Sequence, residues 1–191
     1  MRVPPLPDCL PSRGNALSRV VSRVLLGLMR WRIEGDFPPR PKMVAIVAPH
    51  TSNWDFIVGI LAVFAIGIRV RFLAKHTLFK PPLGPLMRWF GGMPVDRKAP
   101  HGLVPQVVEA IEKAPAVFLA ITPAGTRSST KPWRSGFYHI AVAAHVPIFP
   151  VIFDGPNRAI RFLPAFEPSG NYEADLPKLL ALYAGVRGIK P

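Results

Sequence analysis

The sequence predicts an α/β fold: a central, mostly parallel sheet flanked by helices, with an N-terminal amphipathic helix ahead of it. Three observations predict it. Short apolar runs of strand length alternate with segments of helical periodicity. Several of the prolines fall where helices or strands are expected to start or stop. Near the N-terminus, arginines and aliphatic residues separate onto different sides at helical spacing.

In chain order, residues 1–13 hold several prolines and no apolar core, and are expected to be a disordered leader, not a secretory signal. Residues 14–42 are expected to be an amphipathic helix, from about Asn15 to Ile33, and a proline-rich link, Glu34 to Lys42. Arg19, Arg23 and Arg30 group on one side of that helix, and Val20, Val21, Val24, Leu25 and Leu28 on the other. Such a helix either lies in a lipid headgroup plane or packs its apolar face on the domain. Residues 43–191 form the main domain. Met43–Ala48 reads as a buried strand, Asn53–Ile66 as a helix and Arg69–Ala74 as a strand. A short helix at Leu83–Phe90 and a short strand around Met93–Val95 follow. His101–Lys113 has helical periodicity and Ala116–Ile121 is a strand. Gly136–Ala144 is a helix, Val146–Phe153 a strand, Ala159–Leu163 a further strand, and Asp175–Ala184 a final helix. Alternating strands and helices build parallel sheets covered on both faces.

The chain has 191 residues, enough for one domain with a core. It is 49% apolar and 18% charged, which excludes a disordered chain. The formal charge of +13 calls for an anionic partner. Its basic residues stand singly among aromatic and aliphatic ones, as in Met87-Arg88-Trp89-Phe90, and no nucleic-acid-binding motif is visible. That pattern favours a membrane surface over nucleic acid. The longest uncharged apolar run, Phe56 to Ile68, is too short to span a bilayer, so the expected contact is peripheral. The single cysteine, Cys9, excludes an intrachain disulfide and a multi-cysteine metal site.

Three segments carry chemistry. In the first, His50 and Asp55 follow the strand Met43–Ala48. They converge if His50 sits in the turn and Asp55 in the first helical turn, with Ser52 or Asn53 as N-cap. The carboxylate would then fix the imidazole tautomer, and the other ring nitrogen could take a proton from a hydroxyl. No serine elbow accompanies the pair, so the substrate hydroxyl is the expected nucleophile. Read alone, the same spacing also describes a plain helix cap. In the second segment, Gly91-Gly92-Met93-Pro94-Val95-Asp96-Arg97, a constrained turn presents Arg97, whose guanidinium can fork onto phosphate. In the third, Thr122-Pro123-Ala124-Gly125-Thr126-Arg127-Ser128, Gly125 permits close backbone approach and the neighbouring side chains supply donors. Lys131 and Arg134 extend that basic stretch.

Together these segments resemble the glycerolipid acyltransferase family typified by 1-acylglycerol-3-phosphate acyltransferase. His50, Ser52 and Asp55 match its N-H-x-x-x-x-D block, with Pro49 in the Asn position. Gly92 and Arg97 match its glycine-turn-arginine block, which Lys75-His76-Thr77-Leu78-Phe79-Lys80 approaches as in the family. Pro123, Gly125, Thr126, Arg127 and Ser128 match P-E-G-T-R-S, and Val146-Pro147-Ile148-Phe149-Pro150-Val151 matches V-P-[I/V]-x-P-V. The four blocks span residues 43–153.

The resemblance implies that His50 is the base and Asp55 its orienting partner. It implies that Arg97, Gly125, Thr126 and Arg127 hold the acceptor phosphate, supported by Ser52, Lys75, Ser128 and Arg134. It further implies acyl-CoA or acyl-ACP (acyl carrier protein) as donor, a lysophospholipid acceptor, no metal and no further cofactor. The implied location is the cytoplasmic face of an anionic membrane. One departure stands out: Ala124 occupies the family's Glu position. It leaves the acceptor headgroup open and admits a second reading, a membrane-docking member with weak or no turnover. His76, His101, His139 and His145 match no family catalytic position.

Overall fold

A computed structural model describes residues 2–95, 102–124 and 132–189. The elements run α1 (Ala16–Leu28), β1 (Arg32–Glu34), β2 (Lys42–Ala48), α2 (Asn53–Ile66) and β3 (Val70–Lys75), then a 3₁₀ turn at His76–Phe79. There follow α3 (Leu83–Trp89), β4 (Gly92–Val95), α4 (Leu103–Lys113), β5 (Val117–Ile121), α5 (Gly136–Ala143), β6 (Ile148–Asp154), β7 (Ala159–Phe162) and α6 (Tyr172–Ala181). One seven-stranded sheet has the order β1-β7-β6-β2-β5-β3-β4. Every pairing is parallel except the β6–β7 hairpin.

The central strands are apolar on both sides because both faces are covered; all seven residues of β6 are buried. One face packs Val58 and Ala62 of α2 over Phe118 and Phe149. The other packs Val107 and Ile111 of α4 and Phe137 and Ile140 of α5 over Val44, Ile46 and Ile148. The link after β1 is more than a spacer: Phe37 inserts among Phe118, Phe149 and Phe162, with ring centroids 4.7–5.9 Å away.

Two expectations change. The leader is placed against the domain instead of being disordered. Leu10 is buried, Ser12 bridges Ile68, and the Arg69 N–H donates to the Pro11 carbonyl at 2.6 Å. The Arg13 guanidinium lies 4.8 Å from the ring centroids of both Phe64 and Trp89. The first helix ends at Leu28, not Ile33. Arg30 takes a left-handed conformation (φ 58°), and residues 32–34, expected in the helix and link, pair with β7 as an edge strand.

How α1 faces was left open by the sequence, and the structure decides it against packing of the apolar face on the domain. Its arginines point inward and its aliphatic side outward. Arg23 Nε donates to the Ala65 carbonyl at 3.0 Å, and the Arg19 guanidinium lies against Gly67, the left-handed C-cap of α2. Cations there complement the carbonyl end of α2. Leu17, Val20, Val21, Val24, Leu25 and Leu28 are all exposed. No helix among the described residues is long and apolar enough to cross a membrane.

Candidate active site

β2 and β5 are neighbours, yet their chains leave in opposite directions. After Ala48 the chain passes to α2 on one face, and after Ile121 it runs to α5 on the other. This topological switch opens a crevice at the carboxyl ends of the strands, where ligands bind in open α/β sheets. His50 stands on one lip and Thr122-Pro123-Ala124 on the other.

The His50 turn is held by a single oxygen. Asp55 Oδ2 accepts from Thr51 N–H at 2.7 Å and Ser52 N–H at 2.8 Å, and lies 3.0 Å from His50 Nδ1. Ser52 is the N-cap of α2, its hydroxyl accepting from Trp54 N–H at 3.2 Å. The result is a capping box whose acid also reaches the imidazole. Burial raises the Asp55 pKa, but the His50 bond and the two backbone N–H groups outweigh it and hold the carboxyl below its ordinary value. Asp55 is buried, whereas the His50 side chain remains 22% exposed. With Nδ1 facing a carboxylate, Nε2 is the nitrogen left for proton transfer.

His50 and Asp55 line a cavity of about 620 Å³ that runs beneath α2. Gly59 and Val63 wall it on one side, and Phe118, Phe153 and Phe162 lie deeper. Its size fits a ligand pocket, and its lining suits an apolar guest. Arg134, exposed and anchored by its N–H to the Pro123 carbonyl at 3.0 Å, also lines it. A second cavity of about 230 Å³ shares Val47, His50, Thr122 and Pro123 with the first. Ala124, Trp133, Tyr183 and Val186 are also in its wall.

The structure thus brings together His50, Ser52, Asp55 and Arg134. Lys75 ends β3 at the same carboxyl edge of the sheet. Arg97, Gly125, Thr126, Arg127 and Ser128 lie outside the described residues. Sequence reasoning missed the contribution of residues 183–189, which close the crevice from the C-terminal side. No local pattern marks them, since the contacts that bring them to the site, with Ile46, Thr51 and Gly155, are with residues more than 30 positions away.

A parallel sheet with a His–Asp pair at its switch point and an apolar cavity beneath defines a class suited to transferring an apolar acyl group. Residues 30–154 match the family model described as Acyltransferase, and the chain belongs to that family. It is 27% identical to the 1-acyl-sn-glycerol-3-phosphate acyltransferase of Limnanthes alba, over 78% of this chain and 54% of that protein. It is 32% identical to the enzyme of the same name from Escherichia coli K12, over 55% and 44%, and 29% identical to the mouse alpha form, over 91% and 70%. The chain spans about half the length of the plant and bacterial relatives. Its fold is shared by the 1-acyl-sn-glycerophosphate acyltransferase PlsC of Thermotoga maritima. The TM-score is 0.60 at 16% identity, covering 90% of this chain and 80% of that one.

Proposed function

We propose that this protein transfers a fatty acyl group from an acyl thioester, acyl-CoA or acyl-ACP, to the free hydroxyl of a lysophospholipid such as 1-acylglycerol-3-phosphate. The observation that carries this is the His50–Asp55 pair at the head of the apolar cavity. Nε2 of His50 takes the acceptor hydroxyl proton as the oxygen attacks the thioester carbon. The C–S bond then breaks, and the proton returns to the departing thiolate. Asp55 fixes the tautomer and stabilises the imidazolium. The acyl chain occupies the cavity beneath α2. Arg97, Gly125, Thr126 and Arg127 hold the acceptor phosphate, with Lys75, Ser128 and Arg134 adding to the field and Ser52 fixing the turn. The step draws on no metal and no cofactor besides the donor.

The exposed apolar side of α1 supports peripheral docking on an anionic membrane, at its cytoplasmic face. Trp54 on α2 and Leu83, Leu86 and Trp89 on α3 are exposed as well, and Trp89 meets α2 through Phe64. Aromatic and aliphatic side chains backed by a large positive charge suit that boundary. Ala124 supports the second reading, a docking member with weak turnover, because it removes a carboxylate the family pattern carries.

The test is acyl transfer by the purified protein from acyl-CoA and from acyl-ACP to a panel of lysophospholipids, beside His50→Ala. Loss of kcat by about 10²–10⁴ is expected, the contribution of a general base. Full turnover by His50→Ala would refute the mechanism. Absence of transfer from the unmodified protein to any acceptor would favour the second reading.

A further inference from the structure

We infer that the segment Tyr183–Ile189 is a strap that positions the catalytic turn, with Gly188 as its point of contact. The inference rests on the proposed reaction for its kinetic consequences, but the contact itself is geometric.

After α6 the chain doubles back across the carboxyl edge of the sheet. Three attachments hold it there. The Tyr183 hydroxyl donates to the Ile46 carbonyl of β2 at 2.8 Å. The Arg187 carbonyl accepts from Gly155 N–H, just beyond β6, at 3.0 Å. Ile189 packs against the core under α2. Between the last two, Gly188 lies directly on the Thr51 side chain. A Cβ at Gly188 would fall 2.9 Å from Thr51 Cβ, 2.5 Å from Cγ2 and closer still to Oγ1. Real Cβ contacts essentially never come under 3.0 Å, so Thr51 or the strap would have to move. On the opposite side, a Cβ at Gly155 would meet the Gly188 carbonyl carbon at 2.5 Å and Ile189 N at 2.6 Å. The strap is therefore clamped between the Thr51 side chain and the Gly155 backbone, with no room for a methyl at Gly188 or at Gly155.

Thr51 connects this clamp to the chemistry. Its N–H donates the shortest of the three contacts to Asp55 Oδ2, and it follows His50 directly. A displacement of Thr51 by a few tenths of an ångström shifts both the carboxylate's partner and the imidazole's backbone. The strap touches neither reacting atom. It acts through Thr51, so Gly188 is a positioning residue. Small misplacements of a catalytic group carry large rate penalties.

The experiment compares the full chain with Gly188→Ala, Gly188→Ala/Thr51→Ala and Tyr183→Phe. Three quantities are read: kcat with separate KM values for donor and acceptor, the pH profile of kcat, and the proton NMR signal of His50 Nδ1–H bonded to Asp55. Gly188→Ala should lower kcat about tenfold or more, with both KM values within twofold. It should displace the acidic limb of the pH profile and shift or broaden the Nδ1–H signal. Thr51→Ala removes the two nearest atoms, Oγ1 and Cγ2, and leaves only the 2.9 Å Cβ contact, so it should recover part of the loss. Tyr183→Phe adds no atom, keeps the fold and releases one attachment; a two- to fivefold loss of the same kind is expected. The inference is overturned by a folded Gly188→Ala with unchanged kcat and NMR signal. A loss confined to KM, or one that Thr51→Ala does not relieve, would also overturn it. Should Gly188→Ala fail to fold, an unchanged Tyr183→Phe overturns it instead. The NMR readout needs no turnover, so an inactive parent protein would sink the proposed function without deciding the strap.

Discussion

The outward apolar side of α1 gives a prediction with a calculable size. Val24 is 55% exposed and Leu28 76% exposed, and both point away from the domain. Complete burial of a Val or Leu side chain is worth about 1.5–3 kcal/mol. Scaled by these exposures, transfer of the pair from water to an acyl boundary is worth about 3 kcal/mol, or roughly a hundredfold in partitioning at 1.4 kcal/mol per decade. Val24→Glu/Leu28→Glu removes that term. It also places two anions against an anionic surface, at about 1 kcal/mol each by analogy with the attraction of a surface cation. Co-sedimentation with anionic phospholipid vesicles should show at least a hundredfold weaker binding, while circular dichroism and the melting temperature stay unchanged. Arg23→Ala should do the opposite, since Arg23 is tied to Ala65: the melting temperature falls and vesicle binding changes little. Wild-type partitioning by the double variant, or a large melting drop in it, would refute the assignment of this face to lipid.

Three further outcomes follow from the site. Asp55→Asn loses the charge that three donors share on Oδ2; kcat should fall about 10³–10⁴, as when a triad carboxylate is neutralised, and steady-state kinetics within tenfold of wild type would contradict the orienting role. Gly59→Leu should shorten the preferred acyl chain by about three carbons. A Cβ at this position meets only Phe153 Cζ, at an ordinary 3.5 Å, so the three further side-chain carbons enter the cavity and displace methylenes worth about 0.8 kcal/mol each; an unchanged chain-length profile across acyl donors would place the chain elsewhere. In acid, Asp55 and Asp175 set the limit. For each, burial raises the pKa but hydrogen bonds overcome it: from His50, Ser52 and Thr51 at Asp55, and chiefly from Ser169 N–H and the Tyr138 hydroxyl at Asp175. Folded values below the unfolded value of about 3.9 mean that this stability is complete above about pH 4 and drains away as pH falls further. Melting temperatures should be flat from pH 7 to 5 and drop below about 4, less steeply in Asp175→Asn; an unchanged slope would remove Asp175 from the account.

Much of the architecture was legible because local signals agreed with one another. Asn53–Ile66 was read with Ser52 or Asn53 as its cap; the structure starts it after Ser52 and ends it at Gly67 in the left-handed conformation. The helix–strand alternation was equally readable, since the central strands β2, β5 and β6 are largely apolar runs between turns. β1 was hidden: three residues, Arg-Ile-Glu, carry too little pattern to separate from the helical stretch before them. The direction in which α1 faces was also hidden. An amphipathic sequence shows that two sides differ, and here the carbonyl end of α2 decides that the arginines turn inward. At the site, the His–Asp spacing was visible, but its alternative as a helix cap was equally consistent with the letters. The structure shows that the two descriptions are one arrangement, because the capping acid and the imidazole's partner are the same oxygen.

That shared oxygen makes α2 the element on which the proposed reaction turns. Its first turn holds His50 through Asp55, and its inner side at Gly59 and Val63 walls the cavity. Its carbonyl end receives the arginines of α1, and Phe64 and Trp89 join it to α3. Under the proposed docking, lipid contact at α1 and α3 would bear on the same rigid helix that orients the base. Phe56 and Leu78, both exposed and both lining the cavity, would then meet the boundary where acyl chains reside. The same cavity is lined by His50, so under that docking an acyl chain entering past Phe56 and Leu78 would lie in one apolar cavity with the base. Under the proposed docking the bilayer would be part of the substrate path, and acyl transfer should depend more steeply on lipid surface in the parent protein than in Val24→Glu/Leu28→Glu.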